Sequence, residues 1–137
     1  MIANPYLNFD GKTEEAFRFY QSIFGTELSL QFMHEVPNLP VSDEEKNYVM
    51  HASLPINDQQ QLMASDCLTS QGHVWKPGNN VSISLTPDSR EDADRLYNGL
   101  SEGGTVEMPM EDAFWGDYFG SFTDKFGVQW MINFPNS

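Results

Sequence analysis

The chain has 137 residues, 39% of them hydrophobic, which is enough for one domain with a buried core. Twenty Asp and Glu against seven Lys and Arg give a formal charge of −13, the wrong sign for a nucleic-acid surface and repulsive toward anionic membrane. The one cysteine, Cys67, excludes an internal disulfide and a Cys-rich zinc site, and it suits a reducing compartment.

The opening Met1-Ile2-Ala3-Asn4-Pro5 carries no basic n-region, and no apolar run nears the ~20 residues of a membrane helix. The expectation is a cytoplasmic, unprocessed protein. Residues 5–9 read as a strand with Leu7 and Phe9 on one face and Tyr6 and Asn8 on the other. Asp10-Gly11 signals a turn. Thr13 is expected to cap a helix whose first turn holds Glu14 and Glu15, where the helix dipole favours acids. Ala16, Phe17, Tyr20, Ile23 and Phe24 make one apolar stripe, and Gly25 is its natural stop. A strand is expected at 27–35, a loop at 36–46, and strands at 47–54 and 60–65 around a turn at Asn57-Asp58. Residues 66–79, with Gly72, Pro77 and Gly78, read as a connection between halves or as a lid.

The pattern then restarts. Val81, Ile83 and Leu85 alternate with Ser82 and Ser84, as in a half-buried strand. Asp88 and Glu91 have capping-box spacing, with Asp in place of Ser or Thr. Ala93, Leu96, Tyr97 and Leu100 form a second helical stripe, ended by Gly103-Gly104. Strands are expected at 105–110, 118–123 and 128–134, the last two joined by a turn at Asp124-Lys125-Phe126-Gly127. A shift of 77 positions takes Glu14 to Glu91, Ala16 to Ala93, Arg18 to Arg95, Tyr20 to Tyr97 and Ile23 to Leu100. Each helix follows a strand and precedes a glycine and three strands, so a duplicated βαβββ unit is expected. Two such units can share a curved sheet, with helices outside and a concave cleft as the default ligand site.

Several segments carry a resemblance. They are Pro5-Tyr6-Leu7-Asn8-Phe9-Asp10-Gly11, Glu15-Ala16-Phe17-Arg18-Phe19-Tyr20, Phe24-Gly25, His51-Ala52, Met63-Ala64-Ser65-Asp66, Phe114-Trp115, and the run from Thr123 to Asn133. With them the chain resembles the PhnB-like branch of the vicinal-oxygen-chelate superfamily, which includes glyoxalase I, bleomycin-resistance proteins and extradiol dioxygenases. The resemblance implies an α+β fold of two βαβββ modules forming a curved mixed sheet with helices outside. It also implies a single domain over 1–137, with module 1 at about 1–68 and module 2 at about 79–137. Some relatives carry a ubiquinone methyltransferase label, but the chain has no Gly-rich strand-loop-helix suited to S-adenosylmethionine.

Catalytic members hold a divalent metal with His, Gln or Glu on four strands. Carried over, those positions fall on Asn4, on Met63 or Ala64, on Asn80 and on Met131, none a good ligand for a hard or borderline cation. A slip of one or two residues, to Tyr6, Ser65, Ser82 or Trp130, does not repair the set. No metal and no cofactor are therefore expected. His34 and His51 could share one hairpin, with Glu35 or Asp66 as a third group; unrelated strand and loop histidines are the simpler reading. His51 and Asp66 are the catalytic candidates if any catalysis occurs. Cys67, beside Asp66, reads as a quiet thiol, because an adjacent carboxylate opposes thiolate formation. Asp43, Glu44 and Glu45, and likewise Glu111, Asp112 and Asp117, read as solvated acidic edges.

The aromatic residues are more informative. Tyr6, His51, Met63, Trp75, Phe114, Trp115 and Trp130 are the expected ligand-binding set, with Trp115 also a candidate dimer contact and Trp130, on a buried strand, reading more readily as core packing. The expected function is metal-free binding of an unknown small molecule by a homodimer with an aromatic cleft, with neither nucleic acid nor membrane as partner. The alternative is a metal-dependent lyase, isomerase or dioxygenase of the same superfamily, using ligands outside the usual set.

Overall fold

The computed structural model of the chain describes residues 1–136. Contacts divide the chain into two compact units, Met1–Lys76 and the part from Pro77 onward. In the first, β1 (Tyr6–Phe9) leads into α1 (Thr13–Phe24), followed by β2 (Ser29–Phe32), β3 (Val49–Pro55) and β4 (Gln61–Asp66). The second repeats the order with β5 (Ile83–Leu85), α2 (Arg90–Ser101), β6 (Thr105–Asp112), β7 (Tyr118–Thr123) and β8 (Gln129–Phe134). A shift of 77 positions carries Thr13–Phe24 onto Arg90–Ser101 end for end. The sheets are ordered β1-β4-β3-β2 and β5-β8-β7-β6, again the same arrangement. In each, the first and last strands of the unit pair in parallel and the other pairs are antiparallel. The α+β fold of two βαβββ modules is thus realised as two four-stranded mixed sheets.

Each helix covers one face of its own sheet. Helix α1 packs on β3 and β4, and α2 on β6, β7 and β8. Between α1 and its sheet lie Phe17, Tyr20, Ala52, Leu54, Leu62 and Ala64; between α2 and its sheet lie Leu100, Phe122, Trp130 and Ile132, all buried. Burying each large apolar side chain contributes about 1.5–3 kcal/mol. Exposed pairs such as Arg18–Glu14 add at most about 1 kcal/mol each. Packing against the helices therefore dominates the stability of each module.

The ends of the helices differ from the expectation. Thr13 is not the cap but the first helical residue, following Lys12. The capping group arrives from β4: Asp66 Oδ1 accepts the Thr13 N–H at 3.0 Å and the Thr13 hydroxyl at 2.8 Å. Its Oδ2 accepts the Val49 N–H at 2.8 Å. For α2 the cap is Ser89 rather than Asp88, its hydroxyl accepting the Asp92 N–H at 3.0 Å. Gly25 ends α1 as expected, at φ 73°. The strand expected at 27–35 stops at Phe32 behind a register irregularity, and Met33–Glu35 turns into a 3-10 helix. The strand at β5 is shorter than expected, and Val81 lies outside it, exposed.

Asp66→Ala would leave the donors of Thr13 and Val49 without their acceptor. Hydrogen bonds to a charged group contribute about 1.5–3 kcal/mol each, so the variant should lose about 3–5 kcal/mol. Urea titration should show a lower midpoint with an unchanged slope.

Candidate functional site

Strand alternation decides what the uncovered face of each sheet presents. In the first module the buried residues Ala52, Leu54, Leu62, Ala64 and Asp66 alternate with half-buried His51, Ser53, Gln61, Met63 and Ser65. Register places Tyr6 beside Met63, Asn8 beside Ser65, and Gln31 beside His51. Tyr6, 45% exposed, brings its hydroxyl to 3.4 Å from His51 Nδ1, with ring centroids 5.8 Å apart. That separation exceeds a normal O–H···N bond, so the pair can yield to an incoming polar group. Tyr6, His51 and Met63, expected to line a ligand site, therefore share one surface.

Asp66 does not join them. It lies on the opposite, helix-covered face, and its oxygens are occupied by Thr13 and Val49. A Ser65–His51–Asp66 relay has no geometry here, because successive strand residues point to opposite faces. His34 sits in the 3-10 turn stacked on Phe32, and His73 Nδ1 accepts the Leu68 N–H at 3.2 Å. Among the described residues no three His, Cys, Asp or Glu side chains form a metal-holding group.

Trp75 covers a sheet edge. Its indole N–H donates to the Asn8 carbonyl at 2.9 Å, on the outer strand β1. The connecting segment, expected to be a linker or lid, is fastened elsewhere too. Glu45 is only 3% exposed, against its reading as part of a solvated run. It accepts from the Ser70 hydroxyl, and from the Ser42 N–H and hydroxyl, both at 3.1 Å. Gln71 adds a bond to the Pro40 carbonyl. These contacts tie the loop before β3 to the chain after β4. Burial first, then Asp10 and Asp66, push the Cys67 thiol up from its ordinary value, in keeping with a quiet thiol.

In the second module Trp130 departs from its expected place in a pocket wall. Its register partners Ile83 and Phe122 put it on the α2 side, 1% exposed. Its indole N–H donates to Asp124 Oδ2 at 2.8 Å, while Asp124 Oδ1 accepts from the Phe126 and Val128 N–H groups. The uncovered face instead carries Phe119, Ser121, Met131 and Asn133. Trp115 packs edge-on against Phe119 at 5.3 Å, and Phe114 packs edge-on against Trp115 at 5.0 Å while 97% exposed. Asp117, read as part of a solvated acidic edge, accepts from Asn133 at 3.0 Å.

A network with no signal in the sequence holds the loop that bears these rings. Arg90 lies 3.8 Å over the Tyr118 ring and donates to Asp112 and Asn136 at 2.8 and 2.9 Å. Asn136 donates to the Gly116 carbonyl at 2.9 Å, and Tyr118 to Asp94 at 2.6 Å. The partners lie up to 46 positions apart, beyond the reach of any local pattern.

The divalent metal implied by the superfamily does not fit the residues at its positions. Asn4 spends its side-chain oxygen on the Gln61 N–H at 3.1 Å, and Met63 and Met131 offer soft thioethers. What remains is a helix-backed sheet module, present twice, with a mixed polar and aromatic uncovered face. That arrangement defines a protein of the glyoxalase-like class. The chain belongs to the PhnB-like family described as 3-demethylubiquinone-9 3-methyltransferase, whose model matches residues 2–133. It is 30% identical to protein YjdN of Escherichia coli over 97% of this chain and 95% of that one. Protein PA1353 of Pseudomonas aeruginosa is similar in structure, with a TM-score of 0.87 and 39% identity over 98% of both chains. A PhnB protein from Bacillus cereus follows at 0.73 and 27%, over 98% of this chain and 99% of that one. Solved members of the glyoxalase/bleomycin resistance/dioxygenase superfamily share the fold at lower identity. Among the described residues no helix is long and apolar enough to cross a membrane.

Glu45 supplies a pH test. The Ser70 hydroxyl, helped by Ser42 and opposed by burial, holds its carboxyl down at about 2. A carboxylate depressed on folding stabilises above its unfolded pKa, and that contribution fades as pH falls toward the folded value. The urea midpoint should therefore drop between pH 4.5 and about 2, and drop less in Glu45→Gln.

Proposed function

We propose that the chain binds a small molecule with an apolar or aromatic body, without a metal cofactor, as a cytoplasmic homodimer. On this reading residues 1–137 act as one domain, with modules at about 1–68 and 79–137. The observation that carries it is the uncovered face of the first sheet, where Tyr6, His51 and Met63 lie together. Polar groups fixing an apolar ligand on a rigid sheet are the usual makings of a small-molecule site. In the second module, Phe114 and Trp115 stand out on a loop pinned by Asn136. Exposed rings on a rigid support suit a second copy of the chain, because little side-chain freedom is lost on contact.

The lyase, isomerase or dioxygenase reading requires a metal or an acid–base group. The donor set at the superfamily's ligand positions and the occupied Asp66 both speak against it. Methyl transfer finds no support in the turns: β1 reaches α1 through Asp10-Gly11-Lys12, and β5 reaches α2 through Thr86-Pro87-Asp88-Ser89. One glycine between them is not a nucleotide-type cradle.

Metal content by inductively coupled plasma mass spectrometry tests the first point. The untagged protein, soaked with Mn, Fe, Ni and Zn, should stay at background. Near-stoichiometric metal lost in His51→Ala would overturn the metal-free reading. Light scattering tests the second: a dimer is expected, weakened at least about tenfold by Trp115→Ala, as for a central aromatic contact. A monomeric wild type would refute it.

A further inference from the structure

We infer that the ligand of the first module is an uncharged molecule that is recognised through hydrogen bonds, an aromatic or apolar body bearing hydroxyl, carbonyl or amide groups. The inference rests on the reading above that the uncovered face is the ligand site, and it names the chemistry of that ligand.

The chain carries 20 carboxylates and 7 Lys and Arg. None falls at the ten uncovered-face positions within β1, β2, β3 and β4. Those positions hold one tyrosine, one histidine, one methionine, one proline and six amide or hydroxyl side chains. In so acidic a protein, a surface of this extent without a carboxylate is a specific feature. Two of the six polar side chains satisfy each other, Ser53 donating to Gln61. Asn8, Gln31 and Ser65 make no side-chain hydrogen bond among the described residues, so their donors and acceptors remain for a ligand. They surround the loose Tyr6–His51 pair, which offers a hydroxyl and an imidazole at 3.4 Å.

Charge settles the class of ligand. An anion would leave water for a face with no Lys or Arg, in the field of a chain of net charge −13. A cation would gain from that field but find no carboxylate to pair with on the face, so its desolvation would stay largely uncompensated. A neutral molecule loses only water hydrogen bonds, and the free amides and hydroxyls replace them. Met63 and the Tyr6 ring supply the apolar support.

Three probes with one ring system and different charge test this: 1-naphthol, 1-naphthyl phosphate and 1-naphthylmethylammonium. They would be titrated into the full-length protein, with calorimetry for affinity and side-chain NMR for location. Naphthol should shift the signals of Tyr6, His51 and Met63. Its affinity should change less than about twofold between about 0.05 and 0.5 M salt, since no ion pair is screened. The phosphate and the ammonium should bind at least about tenfold more weakly. Gln31→Lys, at an exposed position of β2, should raise the affinity of the phosphate relative to that of naphthol. Tighter binding of either charged probe, with shifts at the same three residues, would overturn the neutral-ligand inference while leaving the site in place. No binding by any probe, or shifts confined to other residues, would overturn the site reading and the inference with it.

Discussion

The buried carboxylate of Asp66 joins three separate elements of the first module. It sits at the end of β4, caps the start of α1 and holds the first residue of β3. A helix N-terminus concentrates unpaired N–H groups and partial positive charge, so a carboxylate there meets both needs at once. With the helix anchored this way, it can lie on only one side of the sheet. Alternation then dictates which side chains are covered and which are not, and the Tyr6–His51–Met63 surface follows. The second module reaches the same architecture differently: a local serine caps α2, and Asp124 secures the turn into β8 and the Trp130 indole.

Most of the fold was legible because it is written in short-range periodicity. The apolar stripes of both helices, the Gly25 stop, the turn at 124–127 and the 77-residue repeat all recur in the structure. Several of the misreadings share a cause, a partner distant in sequence. Thr13 looks like a cap until Asp66 arrives from 53 positions away. Glu45 looks solvated until Ser70 is placed beside it. Trp130 on a buried strand reads more readily as core than as pocket wall, yet alternation says that a residue faces one side without saying which side the helix covers. The Arg90–Asp112–Asn136 network was invisible for the same reason.

The candidate site was only partly legible. Tyr6, His51 and Met63 are brought together by the parallel pairing of β1 with β4 and the antiparallel pairing of β3 with β4, and all three had been singled out by residue type. Trp75 turns out to serve a sheet edge, where its indole answers a carbonyl that has no strand partner. The absence of charge across the uncovered face is the least conspicuous feature in the sequence, because its ten residues are dispersed over four strands. It becomes visible only when register is known.

Strand β6 is an outer strand, and its construction has a consequence for assembly. Eight residues with Val106 and Met108 exposed would ordinarily invite another chain to add itself as a further strand. Pro109 lacks an N–H, the pairing with β7 slips on both sides of Met108, and Glu107 and Glu111 place charge along the same edge. The rim is thereby spoiled as a template for open-ended polymerisation. In the proposed homodimer a second copy would meet side chains such as Phe114 and Trp115 in place of an open strand edge, an arrangement that suits closed, finite association over fibre growth.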